Sequence, residues 1–453
     1  MRRTLITLMS IFALCGCGHS VSTEQTSAND PTTCITEEER AARIAIDFSR
    51  DSSYIVDYLK EFYPQLTQEQ VSAWEATNAL ENMMIDGQKR YFRSAARNLF
   101  RIDKDARAVY EAKYPTVRES DDAYMDAYLP KVIETVRTSG ENLVMPETFI
   151  VTYGLTVKAD AVPAGETVRA WMPYPREDQN SIKDVQLLEA SESDYVISSD
   201  NVEHKSIYME KPAVEGEPTV FTYKFKFTCY NEWYDIHPED VKPYDTQSEL
   251  YKTYTAERSQ HIVFTDRIKA ITDSLVAGQT NPYLKVRAIY KWIVDTFPWA
   301  SAREYSTIEN IPMYVIENRH GDCGQVGLLL VTMCRYAGVP ARWQSGWMLH
   351  HDAVNMHDWS EIYYEGIGWV PTDVSFGRGR QKGIDSDDVY NFYASGLDAF
   401  RLIGNTDFGG AFEPAKQFIR SETVDFQRGE VEWKGGNLYF NQWSGWIDDI
   451  EYE

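Results

Sequence analysis

The sequence predicts an α+β protein in which helices come first and antiparallel strands follow, and three patterns carry that expectation. Between residues 35 and 140, apolar positions recur at helical spacing behind helix-start signals. Between 147 and 230, the period changes to strict alternation. From about 260 onward, three helical stretches precede three short strands.

In the helical region, Thr36 with Glu39 and Thr67 with Gln70 match the capping-box spacing ahead of long amphipathic stretches. Val71, Trp74, Leu80, Met83 and Met84 then follow a helical period, which reads as one buried helix face. In the second region, Phe221, Tyr223, Phe225 and Phe227 alternate with Thr222, Lys224, Lys226 and Thr228, so every ring falls on one face of a strand. Phe149 to Val157 and Val168 to Met172, with the turn Pro163-Ala164-Gly165-Glu166 between them, complete the outline of a small antiparallel β-sandwich. In the third region, Thr265 to Leu275 is a helix, and Asn281-Pro282 is an N-cap and first-turn proline opening a helix through Val294. A third helix runs from Asp322 to Ala337 and stops at Gly338. Strands over Arg342 to Met348, His357 to Tyr364 and Gly368 to Thr372 follow. Beyond 375 the signals are mixed, and irregular structure with late strands is expected there.

The N-terminus carries Arg2 and Arg3, then the apolar run Leu5 to Leu14, which is shorter than the roughly 20 residues of a spanning helix. Leu14-Cys15-Gly16-Cys17 resembles a bacterial lipobox, which implies that residues 1–16 are a signal peptide and that Cys17 is the acylated anchor. Residues 17–34 are then a polar tether, and the chain is expected at the bacterial cell envelope, on either the periplasmic or the cell-surface side.

The 453 residues are 43% hydrophobic and 13% aromatic, as in a globular protein. The net charge of −24 argues against nucleic acid and against an electrostatic grip on anionic lipid. Membrane attachment must then come from acyl chains such as palmitate. Of six cysteines, four remain beyond the lipobox, widely spaced and without a C-x-x-C pair, so neither a disulfide scaffold nor a zinc site is expected. His350-His351 lacks companion ligands at metal spacing and reads as loop. Asp385, Asp387 and Asp388 lack the EF-hand pattern and read as a solvated acidic turn. No metal and no cofactor are expected.

Chemistry concentrates in Gly321-Asp322-Cys323-Gly324-Gln325, at the start of an apolar helix. A helix N-terminus stabilises a thiolate, and the flanking glycines permit close approach of a substrate backbone. Such a nucleophile needs an imidazole and a group to orient it. The hairpin through the tight Glu365-Gly366 turn makes positions 357 and 373 face each other near its open ends, which delivers His357 and Asp373 together.

Gly-Asp-Cys-Gly, then Arg335-Tyr336-Ala337-Gly338-Val339-Pro340-Ala341-Arg342, then His357-x-Trp359-x-Glu361, then Gly368-Trp369-Val370-Pro371-Thr372-Asp373 together resemble the bacterial transglutaminase-like superfamily. The resemblance covers roughly 260–376. It implies a papain-like core with Cys323 as nucleophile, His357 as general base and acid, and Asp373 as orienting carboxylate. Val168 to Pro175 also resembles the β-domain that often precedes this module. The expected organisation is a helical domain (35–145), a β-sandwich (146–235), a transglutaminase-like catalytic domain (236–380) and a C-terminal extension packed on it (381–453). Trp359, Trp369 and Arg342 read as packing and pairing residues, and Cys334 as a buried inert thiol. Trp299 and Tyr305 are both candidates for a second oxyanion donor. The expected reaction is acyl transfer from an amide through a thioester, leaning to hydrolysis of a protein or peptide. Cross-linking and a non-catalytic envelope binding protein with a relic triad are the alternatives.

Overall fold

A computed structural model describes residues 31–115, 120–351, 353–377 and 387–453. The expected signal peptide, the expected anchor Cys17 and most of the expected tether therefore lie outside the described residues, as does Asp385.

The first body packs α1 (Glu37–Asp47), α2 (Ser52–Lys60), α3 (Gln68–Ala76), the hairpin β1 (Asn82–Ile85) and β2 (Gln88–Tyr91), α4 (Ala95–Ile102) and α5 (Lys104–Lys113). Both capping signals operate: Thr36 accepts from the Glu39 N–H, and Thr67 with Gln70 forms the reciprocal box. Ile55, Leu59, Leu80, Phe92 and Leu99 form its core. The helical period through Met83 and Met84 is corrected here. α3 ends at Ala76, Asn78 adopts a positive φ, and both methionines lie in β1. Asp86 and Gly87, both at positive φ, make the two-residue turn that closes this hairpin.

The helix α6 (Ser120–Ser139) leaves that body and packs Leu129, Val132 and Val136 into the core of the sandwich. The sandwich strands are β3 (Leu143–Val157), β4 (Thr167–Pro173), β5 (Ile182–Ala190), β6 (Tyr195–Ile197), β7 (Ser206–Pro212) and β8 (Thr219–Trp233). Phe221, Tyr223, Phe225 and Phe227 of β8 are buried in that core, and Lys224 and Lys226 on the other face reach Glu451 and Glu453.

Then come α7 (Glu249–Thr255), α8 (Asp266–Leu275), α9 (Pro282–Thr296), α10 (Ile311–Asn318) and α11 (Cys323–Tyr336). Thr265, Asn281 and Asp322 cap α8, α9 and α11, and Gly338 at φ +75° follows the end of α11. α11 is buried from Gly324 to Arg335 against Ile289, Ile293, Val339 and Trp343. The strands β9 (Ala341–His350), β10 (Ala353–Tyr364) and β11 (Gly368–Thr372) form an antiparallel sheet beside it.

The remaining elements are α12 (Asp387–Phe392), β12 (Gly396–Leu397), β13 (Arg401–Asn405), β14 (Glu430–Trp433), β15 (Gly436–Leu438) and β16 (Trp443–Tyr452). They are shared between the two sheet systems. β13 extends the catalytic sheet in the order β11-β10-β9-β13, while β16 pairs with β3 and β14 with β4 in the two sandwich sheets. The reason is edge satisfaction: β3 and β4 otherwise present unpaired backbone groups, and the last strands cover them. No helix among the described residues is long and apolar enough to cross a membrane.

Buried charges join the bodies. Asp47 of α1 accepts from the Glu304 N–H at 2.8 Å and pairs with Arg93 at 2.8 Å. Arg93 also meets Glu304 at 2.8 Å, and Glu304 pairs with Arg428 of the C-terminal segment.

Candidate active site

Cys323 is the first residue of α11. Its cap Asp322 accepts from the Gln325 N–H at 3.0 Å, and Gln325 Oε1 accepts from the Asp322 N–H at 3.2 Å. That box fixes the helix start and directs its free N–H groups at the nucleophile position. Gly324 is required by packing. A Cβ there would collide with the Tyr305 hydroxyl and lie 2.7 Å from both Asp358 Oδ2 and the Trp343 ring.

The hairpin of β10 and β11 turns at Glu365-Gly366, with Gly366 at φ +88°. Its register pairs Ser360 with Thr372, so Asp373 falls one step beyond, on the same face as His357 and Trp359. His357 Nε2 and Asp373 Oδ2 are 2.7 Å apart. Asp373 Oδ1 accepts from the N–H groups of Ser375 and Phe376, both at 3.0 Å. Burial opposes ionisation of Asp373, but His357, Arg401 and these N–H groups outweigh it and hold the carboxyl below its usual range. Burial lowers the His357 pKa against the pull of Asp373, so the resting imidazole is neutral at neutral pH. The Phe376 ring meets the imidazole edge to face at 4.9 Å.

Behind this pair lies a buried relay that the sequence did not reveal. Arg401 Nη2 is 3.5 Å from Asp373 Oδ2 and 2.6 Å from Asp398 Oδ2, and Asp398 Oδ1 is 3.1 Å from His350 Nε2. His350 is thus the buried end of β9 and not a loop residue. No group of His, Cys, Asp and Glu among the described residues is arranged to hold a metal ion.

The structure brings His357 and Asp373 together, whereas the Cys323 thiol has another partner. Sγ donates to Asp358 Oδ2 at 3.2 Å. Successive residues of a strand face opposite ways, so Asp358 points to α11 while His357 points to the Asp373 side. Ser360, two residues on, confirms that facing through its 3.3 Å bond to the Gly327 carbonyl of α11. Gln427 from the C-terminal segment donates to Asp358 Oδ1 and to the His357 carbonyl, both at 2.8 Å. Burial, then the neighbouring Asp322, pushes the Asp358 carboxyl well up. Burial, then Asp358 and Asp322, pushes the Cys323 thiol well up. The resting nucleophile is therefore a thiol.

Of the two oxyanion candidates, Tyr305 stands at the nucleophile. Its hydroxyl is 2.8 Å from Asp322 Oδ1 and 3.5 Å from Asp358 Oδ2. The Trp299 ring is partly exposed under Arg101, and only its backbone bridges to Gly321. Trp359 is buried and donates to Gln344, and Arg342 pairs with Glu361 at 2.6 Å while lying over the Trp369 ring. Cys334 is fully buried, and burial raises its pKa. The sequence offered one clue to Asp358, its place beside His357. It offered none to Arg401 or to Gln427, which lies 70 residues from His357.

A cysteine at a buried helix start, beside an antiparallel hairpin bearing a His-Asp pair, is the arrangement of a transglutaminase-like core. Residues 269–374 match the sequence model of the transglutaminase-like superfamily, and the chain contains that domain. The uncharacterised protein YebA of Bacillus subtilis is 25% identical over 176 residues, which are 31% of this chain and 23% of that relative. Among solved structures, a candidate cysteine protease from Cytophaga hutchinsonii aligns with 69% of this chain and 91% of its own at 14% identity, TM-score 0.42. The periplasmic domain of TgpA from Pseudomonas aeruginosa aligns with 53% of this chain and 92% of its own at 13% identity, TM-score 0.29.

Proposed function

We propose that the protein is a cysteine-dependent acyl-transfer enzyme that hydrolyses amide bonds of a protein or peptide at the bacterial cell envelope. The observation that carries this reading is the hydrogen-bonded His357–Asp373 pair on the hairpin next to the helix start bearing Cys323. The match of 269–374 to the transglutaminase-like superfamily supports it. Cys323 attacks the amide carbonyl, an amine departs, and a thioester remains. The neutral imidazole of His357, oriented by Asp373, takes a proton from the water that resolves the thioester, a step that requires the ring to turn from its resting position towards the α11 face of β10. Tyr305 is placed to donate to the developing oxyanion once substrate displaces its carboxylate contacts. The lipobox-like Leu14-Cys15-Gly16-Cys17 supports attachment through acyl chains on Cys17.

Incubation of the purified protein with casein and a labelled primary amine tests the reaction. New fragments that disappear with Cys323→Ala are expected. Amine incorporation without fragments would make the enzyme a cross-linker, and neither product would defeat the acyl-transfer reading on this substrate class.

A further inference from the structure

We propose that Asp358 is a further catalytic residue, which shares a single proton with the Cys323 thiol so that the nucleophile ionises only as half of a thiol–carboxyl pair. The inference rests on the reading of Cys323 as nucleophile and concerns where its proton goes.

Geometry carries it. The 3.2 Å bond from Sγ to Asp358 Oδ2 is the contact the thiol makes, and it is held from the far side by Gln427 on Oδ1 at 2.8 Å. The carboxyl is on a regular strand and faces α11, so its approach to sulfur is set by backbone and not by a loose rotamer. The groups facing the pair come from every element around it. Asp322 comes from the α11 cap, Tyr305 from the segment before α10, and Glu422, Asp425 and Gln427 from the C-terminal segment. His357 lies on the opposite face of β10 and binds Asp373. Arg428 is engaged by Glu304 and acts on Glu422 and Asp425. The groups acting most strongly on Asp358 are therefore carboxyls, a thiol and a phenol.

A thiolate and a carboxylate 3.2 Å apart in such a site repel, and the second negative charge is suppressed. Two groups coupled this tightly titrate as one unit and hold one proton over a wide range. Burial and Asp322 raise the lower boundary of that range from the carboxyl side, and burial raises the upper boundary from the thiol side.

The step balances within the pair. The S–H bond breaks, an O–H bond forms at Asp358 Oδ2, and the electron pair left on sulfur forms the C–S bond. When the C–N bond breaks, the proton on Oδ2 passes to the departing nitrogen. The second half, in which a proton leaves the attacking water and returns to the departing sulfur, falls to the His357–Asp373 pair and requires the imidazole to turn from its resting face of β10 towards α11.

The test is the pH dependence of iodoacetamide alkylation at Cys323 in the full chain, quantified on the Cys323 peptide by mass spectrometry. In the wild type, the rate should stay level to within about twofold while the pair holds one proton, because the thiolate-bearing share does not change with pH. It should rise only above the ordinary thiol range. Asp358→Asn should remove the level stretch, so that the rate climbs about tenfold per pH unit and ends more than about tenfold above wild type. His357→Ala should keep the level stretch. A wild-type rate that climbs without levelling, an Asp358→Asn profile that overlays wild type, or a level stretch lost in His357→Ala would each overturn the proposal. The wild-type and His357→Ala profiles decide the matter even if Asp358→Asn does not fold. Turnover is not read in this experiment, so a failure of the acyl-transfer reading would be seen separately, on casein.

Discussion

Arg401→Met is the substitution whose cost the structure fixes best. The guanidinium is fully buried, and it lies 2.6 and 3.0 Å from Asp398 Oδ2 and 3.5 Å from Asp373 Oδ2. Methionine fills much of the volume but leaves two buried carboxylates facing each other without their shared cation. Removing one partner of a buried ion pair costs about 3–5 kcal/mol, and the second carboxylate places this case at the upper end, about 5 kcal/mol. His350 on Asp398 and His357 on Asp373 compensate in part, so total unfolding at neutral pH is not expected. The sign with pH follows from the two carboxyls, both held below their usual range when folded. Their contribution is present above the ordinary carboxylate range and is lost as pH falls through the folded values. In the variant this contribution is gone, so its deficit should be full at neutral pH and shrink in acid. Guanidinium unfolding followed by near-ultraviolet circular dichroism at pH 7 and at acid pH measures both ends. A variant within about 0.5 kcal/mol of wild type at pH 7 would refute the reasoning, and so would a deficit that grows in acid.

Asp373→Asn leaves His357 without the acceptor that fixes its tautomer, and turnover of the folded variant should fall by at least about a hundredfold; a smaller loss would remove Asp373 from the mechanism. Glu304→Gln removes a carboxyl that burial alone would push up but that Arg428 and Arg93 hold down at about 2, below its ordinary 4.5. Its stabilisation of about 3 kcal/mol is present above pH 4.5 and lost towards about pH 2, so thermal melts should separate wild type from variant at pH 7 and converge in acid. Gly324→Ala should destabilise by about 1–3 kcal/mol, because Tyr305, Asp358 and Trp343 occupy the space its methyl needs; equal guanidinium midpoints would show that they yield freely. Cys17→Ala should move the protein from the membrane pellet to the soluble fraction, and a variant that resists alkaline extraction would end the lipid-anchor proposal.

Where a local rule decides structure, the sequence was legible. Thr265, Asn281 and Asp322 cap helices because their side chains reach N–H groups three residues on, and Gly338 ends α11 because the chain needs positive φ there. The hairpin that joins His357 to Asp373 was legible from its alternation, but its turn takes three residues, Glu365 to Ile367, so Asp373 falls opposite Trp359 and diagonal to His357 instead of directly across from it. Met83 and Met84 misled because their spacing from Val71 and Leu80 fits a helix, while the turn at Asp86-Gly87 claims them for a strand. The sharing of the last strands between two sheets depends on which edges lie open after β3 and β4 have formed, and no spacing encodes that. At the site, alternation placed Asp358 away from His357 correctly, but only the packing of α11 shows that this face holds the nucleophile. Arg401 and Gln427 reach the hairpin through tertiary contacts alone.

The most direct test of the acyl-transfer account is intact and peptide mass spectrometry of the protein, acid-quenched during turnover of a protein or peptide substrate. The account predicts an acyl adduct on the peptide bearing Cys323, lost when hydroxylamine cleaves the thioester, and absent together with all turnover in Cys323→Ala. Turnover that persists in Cys323→Ala, or an adduct formed on another residue, would contradict it.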